Sequence, residues 1–480
     1  MRKILRGVMV LMLAAAMTVG LCGAAATAAG SVRTAMIADK GVSVKTFGAK
    51  GDGQTDDTKA LEDAFKDACA DGAASLYFPA GTYVIAGRLT VPAEAELCFD
   101  EGAVLQLDKS AVLTYNGSLT AGQTTVFAGE GTVKWNAVTA VGDPHWFGAK
   151  GDGVTDDTAA FQKTMDLFRD IAIPYSEAGY VVGDLKLTRT YTTFHGESAD
   201  RKAKLIASSS AKNMISVSAS NVDVAFLSFE MAAAPTATCL FYDDTKVGME
   251  LCNARYIDAN DAYCVLRDAD HATNLIVTSK FENFHCVNGR GTAISVADMW
   301  GFIFMTDMVI DYSGSAARHG ITVDFPGFRM RDNAGAILRN IQLIGDPNGT
   351  KESHGFHCTS SAAVWMREFD VQNWSGNGIN ISTSWAYLVH SKIKNCLSTG
   401  VDAQNCFTLQ VVDVDVAFND QVKDKADGVC FRGGSHNQLS NVTVNRCGHY
   451  GVQDKGTGTA ITLISGDNNA DGLMHQSKEE

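Results

Sequence analysis

The sequence FGAKGDGxTDDT occurs twice in this chain, at Phe47–Thr58 and at Phe147–Thr158. The Gly-Asp-Gly turn interrupts regular structure, and the Thr-Asp-Asp-Thr segment that follows supplies helix-capping side chains and negative charge. An apolar pattern of helical period comes next, with Leu61 and Phe65 after the first copy and Phe161 after the second. A repeat over this distance indicates that one structural unit is used twice.

Both copies resemble the opening line of the pectate-lyase-like superfamily of secreted and phage-borne polysaccharide-active proteins. The segment Tyr77–Tyr83 is similar to the first strand of that family, and His145-Trp146-Phe147 is similar to the lead-in of its second copy. The resemblance implies an all-β solenoid, a right-handed single-stranded parallel β-helix with N-terminal capping α-helices. It leaves the reaction open, because this fold carries hydrolases, lyases, epimerases and non-catalytic binders.

The first 28 residues are typical of a secretory signal peptide. Arg2, Lys3 and Arg6 form a positive start, Gly7–Leu21 is apolar, and cleavage is predicted after Ala28. The apolar stretch is short for a membrane span. The sequence therefore predicts a secreted or cell-surface protein.

The chain is acidic, with a formal net charge of −14 that becomes −17 when the three positive charges of residues 1–28 are removed. This balance argues against nucleic acid and anionic membranes as partners. A polysaccharide is the predicted partner, and a strongly anionic one would require a local basic groove. The oligomeric state stays open.

Glycine and cysteine usage favours a long series of strands. Cleavage would leave eleven scattered cysteines, which we interpret as small apolar core residues rather than disulfides. The sequence predicts an abbreviated first domain at residues 42–141 and a main β-helix domain at residues 146–474. In the main domain a glycine precedes each predicted strand, with spacings of 22 to 35 residues that indicate a solenoid. These glycines are Gly320, Gly355, Gly378, Gly400, Gly428 and Gly451.

The residue after each glycine is predicted to point inward, and the next one outward. On this register one outer face gathers acidic, histidine and arginine side chains suited to acid–base chemistry on a sugar. The predicted catalytic residues are Asp324, His357, Asp402 and Asp427. The predicted substrate-binding residues are His319, His354, Asn380, Arg432 and Trp374.

Several reactions are compatible with these residues. A glycoside hydrolase needs two carboxylates about 5 to 9.5 Å apart, and hydrolysis is the favoured prediction. A polysaccharide lyase or epimerase would use His357 as base and Arg432 as cation. A non-catalytic glycan-binding protein and a tailspike-like depolymerase are further alternatives. The motif lines of polygalacturonases and of alginate C5-epimerases are absent from the sequence.

No cofactor or metal site is predicted. The aspartates of the GDGxTDD line could suggest calcium, but the twelve-residue calcium loop with its terminal glutamate is missing.

Overall fold

The computed structural model describes residues 41–137, 140–245, 248–269, 275–297, 299–350 and 353–476. The chain divides into two compact units, Met1–Val138 and Thr139–Glu480. The predicted signal peptide lies outside the described residues. The predicted domain bounds of 42–141 and 146–474 stay a prediction.

The first unit is built from short parallel strands. They form three sheets with the orders β1-β3-β6-β9, β2-β4-β7-β10 and β5-β8-β11. A 3-10 turn covers Val44–Phe47 and helix α1 covers Thr58–Ala68. The strands are β1 (Val42–Ser43), β2 (Asp52–Asp56), β3 (Ala74–Phe78), β4 (Gly81–Ile85), β5 (Arg88–Val91), β6 (Ala95–Phe99), β7 (Ala103–Leu107), β8 (Val112–Tyr115), β9 (Ser118–Thr120), β10 (Phe127–Gly129) and β11 (Thr132–Trp135).

The described residues of the second unit form a parallel coil of 29 strands, in which each strand pairs with one that lies one to three strands further along the chain, as β24 does with β27. A 3-10 turn covers Pro144–Phe147, helix α2 covers Thr158–Leu167 and helix α3 covers Ser315–His319. Its first half comprises β12 (Val141–Gly142), β13 (Asp152–Asp156), β14 (Asp170–Ala172), β15 (Gly179–Val182), β16 (Leu185–Leu187), β17 (Thr192–His195), β18 (Ala203–Ala207), β19 (Asn213–Val217), β20 (Val222–Glu230), β21 (Thr238–Tyr242), β22 (Met249–Glu250), β23 (Cys252–Asn260), β24 (Cys264–Asp268), β25 (Ile276–Val277) and β26 (Lys280–Val287).

The second half of the coil carries the predicted site residues. It comprises β27 (Ile294–Val296), β28 (Met299–Asp311), β29 (Phe328–Arg331), β30 (Ala334–Ile344), β31 (Phe356–Gln372), β32 (Ile379–Thr383), β33 (Trp385–Lys394), β34 (Val401–Ala403), β35 (Thr408–Ala417), β36 (Val429–Phe431), β37 (Gln438–Asn445), β38 (Tyr450–Asp454), β39 (Ala460–Ser465) and β40 (Gly472–Gln476). The predicted parallel β-solenoid is confirmed. Its hand and the capping role of the helices stay predictions.

The two FGAKGDG copies build the same turn. The carboxylate of Asp57, 1% exposed, accepts the backbone N–H groups of Lys50 and Gly51 at 2.6 and 3.0 Å. Asp157 repeats these contacts in the second copy. Asp52 accepts the N–H of Thr55 at 2.8 Å, and such bonds lower its pKa to about 2. The motif aspartates therefore serve the scaffold.

The glycine before each strand is required by close packing between neighbouring turns of the coil. A side-chain carbon at Gly355, Gly378, Gly400 or Gly428 would lie 2.5 to 2.8 Å from the carbonyl oxygen of the next glycine in the series. These four glycines precede strands as predicted. The residue after each glycine is fully buried, so the inward column is confirmed for Phe356, Ile379, Val401, Val429 and Val452.

The prediction that Gly320 precedes a strand is wrong. Gly320 ends helix α3 with φ at 64°, and residues 321–327 form no strand. The strand of this turn is β29, whose Phe328 pairs with Phe356. The six residues 321–326 therefore separate Gly320 from the glycine that precedes the strand, Gly327.

Free cysteines fill part of the core. The eleven cysteines among the described residues are free thiols. Nine of them are buried, including Cys358 and Cys406, and only Cys69 and Cys98 are partly exposed. Burial raises the pKa of the Cys358 thiol to about 12. These thiols pack as small apolar residues, and their location in the core is confirmed.

Candidate active site

A cleft on the second unit collects part of the predicted site. Strands β24, β27, β29 and β31 place Arg267, Ser295, Arg329 and His357 in one register column. Beside that column lies a cleft of about 480 Å³. Its lining residues are Tyr263, Gly291, Thr292, Asp324, Phe325, Pro326, Arg329, Arg331 and His357. The structure thus brings the predicted catalytic residues Asp324 and His357 to one cleft, although Asp324 lies in a connection and not on a strand.

The end of helix α3 anchors the connection that carries Asp324. Arg318 makes a two-bond ion pair with Asp261, in which Nη2 lies 2.7 Å from Oδ2. His319 donates from Nε2 to the carbonyl oxygen of Asn288 over 2.8 Å. The His319 side chain is 7% exposed. The prediction that His319 binds substrate is wrong, because its ring is buried in the anchor of the cleft wall.

The cleft is locally cationic in an acidic protein. Arg329 is held in place by Ser295, whose Oγ accepts its Nε and Nη2 at 3.2 and 2.8 Å. Arg331 lies two residues further along the same strand and therefore on the same side of it. Two guanidinium groups and one imidazole line the cleft, against the one carboxylate of Asp324. The lining of this cleft therefore carries more basic than acidic side chains.

His354 is a buried, neutral partner of His357. Its Nδ1 accepts the backbone N–H of Asn377 at 2.9 Å, so the ring proton must sit on Nε2. That nitrogen lies 3.3 Å from the amide of Asn380. The rings of His354 and His357 stack with centroids 5.5 Å apart. Burial, and secondarily the charge of His357, lowers the pKa of His354 to about 4. His354 therefore packs against the ring of His357 and stays uncharged at neutral pH.

The buried His354 makes stability depend on pH. Its pKa is about 4 when folded against 6.5 for an ordinary histidine, so the unfolded chain binds the proton more tightly between these values. The contribution of His354 to the free energy of unfolding is then fully present above pH 6.5 and falls by about 3 kcal/mol as the pH drops toward 4. His354→Asn keeps an acceptor, as Asn377 does in the next turn. We expect urea unfolding at pH 7 and 4.5 to show a smaller stability loss in this variant. If the variant lost as much stability as the wild type, protonation of His354 would not be the cause of the pH dependence.

Asp402 is committed to an ion pair. Its register neighbour toward the cleft is Asn380, which in turn neighbours His357. One carboxylate oxygen of Asp402 binds Arg432, and the other accepts Asn377 Nδ2 at 3.1 Å. Asp402 is 4% exposed. The Asp402 side chain is therefore covered at its predicted outward position. Its carboxylate is poorly placed for catalysis.

Asp427 belongs to a ladder of turn residues. The side chain preceding a strand glycine accepts the backbone N–H of the equivalent residue in the following turn. His354 accepts from Asn377, Asn377 accepts from Thr399 at 3.1 Å, and Asp427 accepts from Tyr450 at 3.2 Å. Asp427 is 2% exposed and also binds His449 Nδ1 at 2.8 Å. These contacts contradict the prediction that Asp427 is a catalytic residue, because its carboxylate is buried and already bound.

Trp374 is a core residue. Its side chain is fully buried, and its Nε1 donates to the carbonyl oxygen of Leu343 over 3.1 Å. A side-chain carbon at Gly327 or Gly345 would lie 2.7 or 2.5 Å from its ring. The prediction that Trp374 binds a sugar is wrong, because no ligand can reach the indole.

No site for a metal ion emerges from the described ranges. There, no group of three or more histidine, cysteine, aspartate or glutamate side chains is arranged to hold one. The aspartates of both GDGxTDD lines accept backbone hydrogen bonds within their own turns. The structure therefore supports a scaffold role for this motif.

Sequence reasoning missed, among other residues of the cleft, two arginines and one tyrosine. Arg329 and Arg331 follow Gly327, and the sequence Gly-Phe-Arg-Met has the same alternation as the strand at Gly355. That pattern could have revealed both arginines. Tyr263, 43% exposed, comes from a turn distant in sequence, and no sequence signal placed it here.

Comparison with known proteins supports the same fold family. Residues 41–140 match the family of rhamnogalacturonase A/epimerase, pectate lyase-like proteins. Together with the parallel coil, this match confirms the resemblance to the pectate-lyase-like superfamily. The match covers the first motif copy and not the cleft.

Individual relatives match over short segments. The preneck appendage protein of Bacillus phage PZA is 34% identical over 102 residues, which are 20% of this chain and 11% of that protein. A probable glucan endo-1,3-beta-glucosidase of Arthroderma benhamiae is 51% identical over 55 residues, which are 12% of this chain and 6% of that protein. The chain thus covers only a small part of either relative.

Solved structures show a distant likeness. The catalytic domain of a GH87 alpha-1,3-glucanase in complex with tetrasaccharides has a TM-score of 0.41 and 13% identity, covering 67% of this chain and 65% of that one.

In the ranges that the structure describes, no helix has the length and apolar character needed to cross a membrane.

Proposed function

We propose that this protein is a secreted, carbohydrate-active enzyme that removes the proton next to the carboxylate of an acidic sugar in a polysaccharide. The observation that carries the proposal is the composition of the cleft, where Arg329, Arg331 and His357 face a single carboxylate, Asp324. Guanidinium groups bind carboxylates in a planar, two-bond geometry. Imidazole is the side chain that most often acts as a general base.

The geometry fits a β-elimination. Arg329 and Arg331 bind the sugar carboxylate, which stabilises the negative charge that develops when the C5 proton leaves. His357 takes that proton. The electron pair forms a C4–C5 double bond as the C4–O bond breaks, and the departing oxygen takes a proton from water. If water instead delivers a proton to C5 from the opposite face while the C4–O bond stays intact, the outcome is an epimerisation.

Hydrolysis is less well supported by the described residues. It needs two carboxylates across the glycosidic bond, and the cleft lining contains only Asp324. Asp402 is bound to Arg432, and Asp427 is held by His449 and by a turn. Neither presents a free carboxyl group to a substrate.

Secretion and substrate class draw on further support. The charge and apolar pattern of residues 1–28 favours export. The matched family is described by both a rhamnogalacturonase and an epimerase, and a relative is named as a probable glucosidase. Both descriptions concern carbohydrates, which agrees with a sugar-binding cleft.

Product analysis tests the reaction. The mature protein is incubated with polygalacturonate, alginate and neutral dextran in D₂O, and ultraviolet absorbance, reducing ends and deuterium at C5 are followed together. We expect absorbance with reducing ends on an acidic polymer, or C5 deuterium without cleavage for an epimerase. Reducing ends without absorbance or deuterium would establish hydrolysis and overturn the proposal. Binding without any chemical change would indicate a non-catalytic glycan-binding protein.

A further inference from the structure

A stripe of three aromatic side chains, one isoleucine and one lysine runs along another part of the coil. Successive strands place Lys280, Phe304, Ile337, Trp365 and Tyr387 in one register column. Neighbouring strands lie about 4.8 Å apart, so the column repeats one side chain per turn of the coil. We call these five residues the aromatic stripe.

The aromatic stripe is partly exposed, with Lys280 and Trp365 exposed and the other three residues half-buried. The side chain of Trp365 is 41% exposed, and its ring is parallel to that of Tyr387, with centroids 6.0 Å apart and an interplanar angle of 3°. Lys280 places its Nζ 5.8 Å from the centre of the Phe304 ring. A partly exposed row of aromatic side chains indicates a binding surface.

Cationic side chains flank the aromatic stripe. Arg339 and Arg367 pair in register two residues beyond Ile337 and Trp365. Their side chains are 60% and 56% exposed. Both contact Glu368, so these three residues together carry one net positive charge. Aromatic and arginine side chains are the types most enriched in binding hot spots.

We propose that the aromatic stripe and its flanking arginines bind the acidic polysaccharide at a second place, away from the cleft. Aromatic rings present apolar faces to the C–H groups of sugars, and arginines complement sugar carboxylates. A polymer contains both features at regular intervals, as the stripe does. A second copy of the chain is a poorer occupant, because a two-fold contact would set the same arginines against each other.

The stripe and the cleft share strand β31. His357 lies near its start, and the strand bends at Ser360 and Ala363, whose φ angles are 56° and 54°, before it reaches Trp365. A polymer held on the stripe therefore remains close to the cleft, which raises its effective concentration there. The inference relies on the proposed function only for the choice of an acidic polymer.

The test compares Trp365→Ala combined with Tyr387→Ala against Tyr191→Ala, a control at an aromatic residue that is 69% exposed. Retention on immobilised polygalacturonate and alginate is measured, with dextran as the neutral probe. We expect the double variant to bind the acidic polymer about tenfold more weakly. Turnover of short acidic oligosaccharides should stay unchanged, because they do not span both surfaces.

The outcomes separate this inference from the proposed function. If no polymer is chemically changed but the double variant still loses retention, the second surface stands and the proposed reaction fails. Retention equal to that of the wild type would overturn the inference. So would light scattering that shows a wild-type oligomer lost in the double variant without loss of polymer binding, because the stripe would then be a protein interface.

Discussion

Replacing His357 with glutamine is expected to lower kcat on the acidic polysaccharide by a factor of about 10² to 10⁴. Glutamine keeps a polar side chain of similar reach but cannot take the C5 proton. Arg329 and Arg331 are untouched, so the affinity for the polymer should change little. The loss should therefore appear in kcat and not in KM, as expected for a group that acts mainly in the transition state.

A matched control separates the role of His357 from a general effect of losing a histidine. His390 pairs with Asp413 across 3.2 Å, and its side chain is 49% exposed. His390→Gln should leave both kcat and KM unchanged. If His357→Gln retained more than half of the wild-type kcat, or if both variants lost activity equally, His357 would not be the base.

Much of the fold could be predicted from short sequence patterns. The FGAKGDG line predicted helices α1 and α2. Its aspartate side chains accept hydrogen bonds from nearby backbone N–H groups, as Asp57 does from Lys50 and Gly51. The glycines that precede strands from Gly355 onward could also be predicted. At each of them a side chain would clash with a carbonyl oxygen of the next turn. Gly320 was wrongly predicted to precede a strand because it is also followed by an apolar residue, Ile321. In the structure the strand of this turn follows Gly327 instead.

The candidate site was harder to predict because burial is a property of the whole coil. His354 and Asp427 have the residue types of an active site, yet they serve as hydrogen-bond acceptors in turns. Asp402 stands at its predicted register position but is neutralised by Arg432. His357 and Asp324 do line one cleft. That cleft also contains Arg329 and Arg331, which were missed because the strand of this turn was predicted after Gly320.

Replacing Trp374 with alanine is expected to lower the free energy of unfolding by about 3 to 5 kcal/mol. The indole is fully buried, and glycines leave the space that it fills, so a large cavity would remain. Its hydrogen bond to Leu343 would also be lost, leaving a buried carbonyl group without its donor. Urea unfolding of the variant, followed by far-ultraviolet circular dichroism, measures the loss.

Trp385→Ala is the control, because that side chain is 52% exposed and its removal should cost less than about 1 kcal/mol. Equal losses in the two variants would contradict the assignment of Trp374 to the core. The effect of Trp374 should also reach the cleft. Its ring contacts Tyr312 edge-on at 5.9 Å, and the Tyr312 hydroxyl donates to the carbonyl oxygen of Gly291, a cleft residue. Trp374→Ala should therefore weaken polysaccharide turnover even at temperatures where the variant stays folded, whereas Trp385→Ala should not.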